Sequence, residues 1–516
     1  MKKILSILAA GLLLTTQLLA VTPKEVCGQY DGDLNIGGDL YPSKSIFLLP
    51  GVTDNTLTFV LPNFMYGNGM LGNIVLPNIP IDANGMLTLE DATLYLDSIS
   101  ERATITIVNG LQDGATVYNS IITPTDAQVI LSIKTKSLPG AIYVLFQGKA
   151  AKNRNYAVTN GGFEGEWTNS EPQGWHSFFS ATGIMVDFIV NDYQFTQSSQ
   201  IRPGSTGSNS ALLSSTMALG VKANGNCTNG QVNAGSSTAD DAAGNYNFSD
   251  PTNEGFNTPF NGRPDSIVFW AKYEPADRDA SNAVNRARIN SVITTNVRYQ
   301  DPETTEEHTN AKIGAAALNF AATADLGWQR VSVPFEYTAG SDAKTPAYIL
   351  TTFSTNCEPG GGSSYTTGGM FDKKNVLDSL YLDDIEIIYN NHLTKLTING
   401  EALQFKGDVA NAEREYCDDC VKYGAKADGV AAQTFLAFDE IHRCLHVYVI
   451  GDNYAQTGEY NLYRLDFSDT DLISEAVELV SDGIRTSAWT KVLHNGELYL
   501  INADGKTYTI QGTLVK

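Results

Sequence analysis

Asn160-Gly-Gly-Phe-Glu164-Gly-Glu-Trp167, trailed by Pro172 and Gly174-Trp175, and the distant Leu380-Tyr-Leu-Asp383-Asp384-Ile-Glu-Ile-Ile388 decide how this chain folds. They read as the first and last strands of one two-layer β unit, lying side by side. Between and around them run short β-branched and aromatic segments such as Thr104-Ile-Thr-Ile-Val108, Val129-Ile-Leu-Ser-Ile133, Ser266-Ile-Val-Phe-Trp270 and Arg330-Val-Ser-Val-Pro334. Gly, Asn, Asp and Pro break them at short intervals, the punctuation of strands and turns. Helical periodicity is almost absent. The 24 tyrosines suit half-buried strands, so an all-β protein is expected.

Met1 to Ala20 reads as a secretory signal: Lys2 and Lys3, an apolar run from Ile4 to Leu14, and a Leu18-Leu-Ala20 cleavage site. The run is short for a membrane span, and Cys27 lacks the small-residue context of a lipid-anchored cysteine. The expected location is exported: cell surface, periplasm or extracellular. A net charge of −23 argues against nucleic acid and anionic membranes and suits a neutral ligand or a Ca²⁺ ion. An exported chain permits disulfides among its six cysteines. Cys227 and Cys357 could pair, and Cys417, Cys420 and Cys444 make a local group. Cys417-Asp-Asp-Cys420 reads as a plain disulfide, with zinc binding alongside His442, Cys444 and His446 as the alternative.

The length suits roughly three or four domains. Residues 24–150 carry Gly28, Tyr30-x-Gly32-x-Leu34, Asn63-Phe64, Leu71-Gly-Asn-Ile74 and a closing Phe146-x-Gly148. This segment resembles the bacterial calycin-like domain, which implies an antiparallel barrel related in shape to lipocalins. Residues 156–390 carry the two opening phrases, with Arg263-Pro-Asp-Ser-Ile-Val-Phe-Trp270, Gly327-Trp-Gln-Arg-Val-Ser-Val-Pro334 and Gly360-Gly-Gly-Ser-Ser364 between them. In that order they resemble the carbohydrate-metabolism domain of exported proteins of gut-type Gram-negative bacteria, a β-jelly-roll like carbohydrate-binding modules. Asn224 to Phe260, rich in Gly, Asn, Ser and Ala, departs from that family as a long loose stretch. Residues 391–480 resemble a small cadherin-like sandwich. Residues 485–516 form a terminal β-hairpin unit, with type I′ turns expected at Asn495-Gly496 and Asp504-Gly505.

The jelly-roll resemblance implies a structural Ca²⁺ clamping the first strand to the last, with Glu164, Asp383 and Asp384 as its carboxylates. Calcium takes six to eight oxygens, and strand alternation would turn only one of the adjacent aspartates inward. A sugar platform needs an aromatic face with hydroxyl-binding neighbours. The candidates are Trp167, Trp175, His176, Phe179 and Tyr365, with Trp175 and Tyr365 favoured because both follow turn residues. No nucleophile elbow, His-Glu-x-x-His or phosphate loop occurs, and no catalytic residue is assigned. The leading expectation is a non-catalytic glycan-binding protein that does not insert into membranes and works beside outer-membrane glycan-uptake or surface proteins. The alternatives are a structural or adhesive surface protein, a glycosidase, and a carrier whose barrel is lined by Met65, Met70, Met86, Phe59, Phe64 and Phe146.

Overall fold

A computed structural model describes residues 20–361 apart from a few short segments, then 378–467, and the backbone of the terminal strands Trp489–His494, Glu497–Asn502 and Thr507–Thr509. The expected signal, Tyr365 and both Asn-Gly and Asp-Gly turn dipeptides lie outside the described residues. No described helix is long and apolar enough to cross a membrane. The chain is all-β: a nearly closed barrel, a two-sheet sandwich, a smaller sandwich and a terminal antiparallel unit.

In the barrel, Gly28–Ile36, Asp39–Pro50, Thr56–Tyr66 and Gly69–Pro80 pair in succession, and Ile142–Ala150 returns to pair with Gly28–Ile36. Side chains alternate across each strand. Ile46 and Leu48 point inward and meet Tyr30, Phe59, Phe64 and Phe146 in one packed cluster. Phe47 and Leu49 point outward, and they too are buried. The carrier reading is corrected here. Phe59, Phe64 and Phe146 fill the interior against one another, while Met65 and Met70 are exposed.

The outward residues are covered by the third unit. Its strands Gln433–Asp439, Cys444–Ile450 and Tyr460–Phe467 form a sheet whose inner face carries Leu445, Val447 and Val449. Its outer face carries Phe435, Ala437, Tyr448 and Ile450, which pack on Phe47, Leu49, Val60 and Val75 of the barrel. Two phenols seal this junction: Tyr454 donates to Leu48 O at 2.7 Å and Tyr448 to Pro50 O at 2.9 Å. The Arg102 guanidinium pairs with Asp418 and Asp419 at the rim. On its other side the third unit meets the sandwich. Asp452 accepts from Arg263 N, and Asp265 accepts from Asn390 N and Val430 N, each at 2.7 Å.

The sandwich has two five-stranded sheets. One runs Phe195–Ser198, Ser210–Ser214, Ser379–Ile388, Ser266–Glu274, Gln329–Pro334. The other runs Asn226–Thr228, Tyr348–Ser354, Ala287–Thr294, Lys312–Phe320, Glu336–Tyr337. Their inner faces share a core that includes Phe163, Trp175, Phe195, Phe260, Phe269 and Phe353. Cys227 lies within this core and Cys357 is a half-buried free thiol, so the expected bond between them is not formed. Cys417 and Cys420 are bonded to each other.

Phe47 sits outside the barrel core, so it tests the junction alone. Phe47→Ala is expected to lower stability by about 3–5 kcal/mol, the range for a buried phenylalanine. Urea unfolding followed by circular dichroism measures it. A change within about 0.5 kcal/mol, typical of a surface site, would mean the units do not support one another.

Candidate functional site

The two opening phrases do lie side by side, but the first is not a strand. Asn160 to Glu164 forms a tight turn in which Asn160 and Phe163 take positive φ of 52° and 58°. The Asn160 side chain closes it, accepting from Gly165 N and donating to Gln173 O. Gly161 O accepts from Ile385 N at 2.9 Å. A Cβ at Gly161 would stand 2.2 Å from Ile385 O, so the approach requires glycine. Phe163 is thereby driven into the core and is fully buried.

The three carboxylates expected to hold calcium grip one loop, residues 202–209, from two sides. Glu164 Oε1 accepts from Ser208 N and Asn209 N at 2.8 Å, and Oε2 from their side chains. Its carboxyl is held below the ordinary range; its slight burial works the other way, but these hydrogen bonds outweigh it. Strand alternation does not separate the aspartates as expected. Asp384 takes a φ of 45° at a register shift opposite Val268 and Trp270, so both carboxylates reach Arg202. Asp383 accepts Arg202 N at 3.0 Å, and Asp384 pairs with the guanidinium at 2.5 Å. The guanidinium also stands 5.3 Å over the Trp270 ring. Asp383 is completely buried and its Oδ1 has no hydrogen-bond partner among the described residues, and burial pushes its carboxyl up. Among the described residues, Glu164, Asp383 and Asp384 do not form a group with ligand atoms within 4.8 Å of one another. The residues therefore do not fit a calcium ion held by all three. Arg202 is the cation of this clamp.

Of the expected sugar-stacking residues, Trp175 is corrected, while Trp167, His176 and Phe179 are half-buried. Trp175 is fully buried, donates Nε1 to Thr159 O at 3.1 Å, and packs on Phe163 and Phe353. Trp167 packs on Phe195 and donates to Phe163 O. His176 joins the sheet edge through backbone bonds to Thr228 in both directions, its ring 4.6 Å from Phe256. Glu171 organises the adjoining turn. Its Oε1 accepts from the backbone and hydroxyl of both Ser177 and Ser180, and its Oε2 stands 3.5 Å from His176 Nδ1. This fixes the short helix Phe178–Ser180. Phe178, not Phe179, then faces a large cleft.

That cleft, about 390 Å³, lies on the outer face of the second sheet. Its floor carries Asn226, Arg288, Asn290, Thr352 and Ser354 from three adjacent strands. The stretch from Asn224 to Phe260, expected to be loose, is instead one of its walls. Gln231–Ala234 and Asn245–Ser249 form a hairpin that pairs onward with Tyr299–Asp301. Asn245 Nδ2 ties the intervening loop through Ser236 O and Thr238 O. Tyr246 and Phe248 are in edge contact, and Arg298 stands over both rings. Phe178, Met185 and Ile189 form the opposite apolar wall. Asn226 donates to Asn247 Oδ1 at 2.8 Å, while the carbonyl oxygens of Asn224 and Asn226 are buried without a partner among the described residues. The signal for this cleft was present as alternating amides, Asn224-x-Asn226 and Asn245-x-Asn247. Period two puts each pair on one face.

No family model and no curated protein matches the chain. Solved structures resemble it distantly. A candidate glycoside hydrolase from Bacteroides thetaiotaomicron is 16% identical with a TM-score of 0.30, covering 70% of this chain and 98% of that one. A candidate outer membrane protein from Bacteroides fragilis is 15% identical with a TM-score of 0.16, over 25% and 52%. A β-1,2-glucanase from Parabacteroides distasonis is 13% identical with a TM-score of 0.17, over 54% and 34%. Likeness at this level carries no argument about activity.

Arg202 offers a direct test of the clamp. Adding Ca²⁺ to the parent protein is expected to leave the thermal midpoint within about 1 °C, because the carboxylates already have their cation and an ion that does not bind cannot stabilise. Arg202→Ala keeps the backbone N–H that Asp383 accepts but removes the guanidinium partner of Asp384, and is expected to lower the midpoint by several degrees, on the order of 1–3 kcal/mol, with Ca²⁺ restoring part of it. A calcium-dependent rise in the parent alone would show that the ion, not the guanidinium, closes the clamp.

Proposed function

We propose that the protein is a glycan-binding module assembly whose reader is the amide-rich cleft on the second sheet of the sandwich. The observation that carries this reading is the cleft itself: two buried amide oxygens without a partner among the described residues, on a floor that also offers donors, with Phe178, Met185 and Ile189 as an apolar wall. An amide presents donor and acceptor together, which matches a hydroxyl able to act as either. A neutral polyol suits the floor better than an ion. Arg288 faces Asp301 at 3.9 Å and Lys222 pairs with Asp378, so the cations lining the cleft are matched by carboxylates. Phe178 and Tyr246 offer the apolar contact that the C–H face of a sugar ring takes.

On this reading the protein is exported, and the jelly-roll resemblance of residues 156–390 extends to its role, with the barrel and the smaller sandwich as its frame. Calcium is not needed for this reading, since the clamp lies on the other sheet.

Affinity electrophoresis through gels containing neutral polysaccharides tests the proposal. Retardation is expected for the parent and for Tyr193→Ala, an exposed tyrosine outside the cleft. Asn226→Ala or Asn290→Ala should weaken it roughly tenfold each, the effect of about 1.4 kcal/mol from a lost buried hydrogen bond. Equal retardation of all variants would remove the cleft as the reader. Release of reducing ends from the same polysaccharides would replace binding with hydrolysis.

A further inference from the structure

A second polar cluster stands where the architecture calls for apolar residues. The barrel-facing side of the third unit reads Phe435, Ala437, Asp439 on one strand and Ile450, Tyr448, His446, Cys444 on its partner, by strand alternation and the register Phe435↔Tyr448, Ala437↔His446, Asp439↔Cys444. The first part of that face is the apolar junction with the barrel. The last three members are a carboxylate, an imidazole and a thiol, buried to 2%, 5% and 1% exposure. One ligand atom from each lies within 4.8 Å of the others.

The internal distances are those of a coordination sphere rather than of loose neighbours. Cys444 Sγ is 3.2 Å from His446 Nε2, which is 3.8 Å from Asp439 Oδ2. His442 Nδ1 stands 2.8 Å from the same Asp439 oxygen and its side chain is 41% exposed, so it orients the carboxylate from outside the group. A tetrahedral zinc with bonds of about 2.0–2.3 Å sets its ligands roughly 3.3–3.8 Å apart. The remaining contacts of Asp439 orient it: Oδ1 accepts from Ile441 N and His442 N, and Oδ2 from Asn78 Nδ2 of the barrel at 3.0 Å.

His446 Nδ1 is buried and has no hydrogen-bond partner among the described residues, so the ring is held by packing and by what its Nε2 faces. That nitrogen faces Cys444 Sγ and Asp439 Oδ2. A soft-to-borderline divalent cation would draw these three facing atoms together.

We propose that Asp439, Cys444 and His446 form a binding site for a zinc-class divalent cation at the junction of barrel and third unit. The thiol proton leaves to solvent as the metal–sulfur bond forms. One thiolate and one carboxylate then balance the charge of the ion, and the neutral imidazole of His446 is the third protein ligand. The Cys417–Cys420 pair takes no part, because its sulfurs are bonded to each other. The ion would fasten a hairpin of the third unit beside Asn78 of the barrel.

The test uses the tag-free full chain, oxidised at Cys417–Cys420, stripped with a chelator and titrated with Co²⁺ as a spectroscopic stand-in. The expected result is a near-ultraviolet thiolate-to-cobalt band that saturates at one ion per chain and is displaced by Zn²⁺. The band should survive in Cys417→Ser/Cys420→Ser and vanish in Cys444→Ser. His442→Ala, which removes an exposed side chain that orients Asp439 but no ligand, keeps the fold testable and should retain the band at one ion per chain. Absence of a saturable thiolate band in the parent, its persistence in Cys444→Ser, or its loss in the Cys417/Cys420 variant overturns the proposal.

Discussion

The bond from Ile385 N to Gly161 O fixes how the central sandwich closes. It exists because glycine lets the Asn160 turn come against the Ser379–Ile388 strand without a side chain in between. Once that approach is made, three consequences are set without further choice. Phe163 enters the core beside Trp175, Glu164 grips Ser208 and Asn209, and the bulge at Asp384 turns two neighbouring carboxylates toward Arg202. Arg202 answers them with a backbone N–H, a guanidinium and a face laid on Trp270. Burying adjacent carboxylates is costly unless a counter-charge and hydrogen bonds accompany them. Arg202 supplies both: its guanidinium is the counter-charge and bonds Asp384, and its backbone N–H bonds Asp383.

Much of this was legible before any coordinates, and the exceptions have physical causes. Alternation and turn chemistry gave the all-β class, and the pairing of the Asn160 and Asp383 phrases is real. The turn at Asn160 was hidden because Asn-Gly-Gly-Phe-Glu suits an extended or a left-handed backbone equally well until its neighbour is known. Trp175 looked like a loop residue because Pro172 and Gly174 precede it, yet a loop that crosses the end of a sandwich can turn its ring inward. Phe178 and Phe179 differ by one position, and only the Glu171 cap on Ser177 and Ser180 decides which one meets the cleft. The Asn224–Phe260 stretch reads as loose because polar and apolar residues share each face of its hairpin: Val232 and Ala234 lie with Asn245 and Asn247, and Gln231 and Asn233 with Tyr246 and Phe248. Folded against a polar cleft, it needs no apolar alternation.

The junction between barrel and third unit left a clearer trace that composition alone obscures. An antiparallel strand with one wet face alternates apolar and polar residues. Ile46-Phe-Leu-Leu49 and Leu445-His-Val-Tyr-Val-Ile450 do not, and each is buried throughout. Continuous apolar strands in an antiparallel setting mean that both faces are covered. The two runs cover each other through Phe47, Leu49, Tyr448 and Ile450. His446 is the one break in the second run, and it falls where the apolar contact gives way to the Asp439 cluster. The units are thus packed partners rather than beads on a linker.

This packing bears on what the cleft can do. A binding surface held on a sheet that is itself braced loses little freedom when a ligand arrives, and less of the interaction energy goes into ordering it. That matters more for a cleft floored with amides than for one paved with aromatic rings. Stacking tolerates small displacements, whereas hydrogen bonds weaken steeply with angle. Asn226, Asn247 and Asn290 sit on strands or on a hairpin fixed by its own side-chain bonds, so their directions are set before binding. A site of this kind gains discrimination between hydroxyl arrangements more readily than raw affinity, because a misplaced hydroxyl leaves a buried amide unpaired. On the proposed glycan-binding reading, the Asn-rich stretch would supply the reading groups, and the packed units would hold the frame that keeps their geometry fixed.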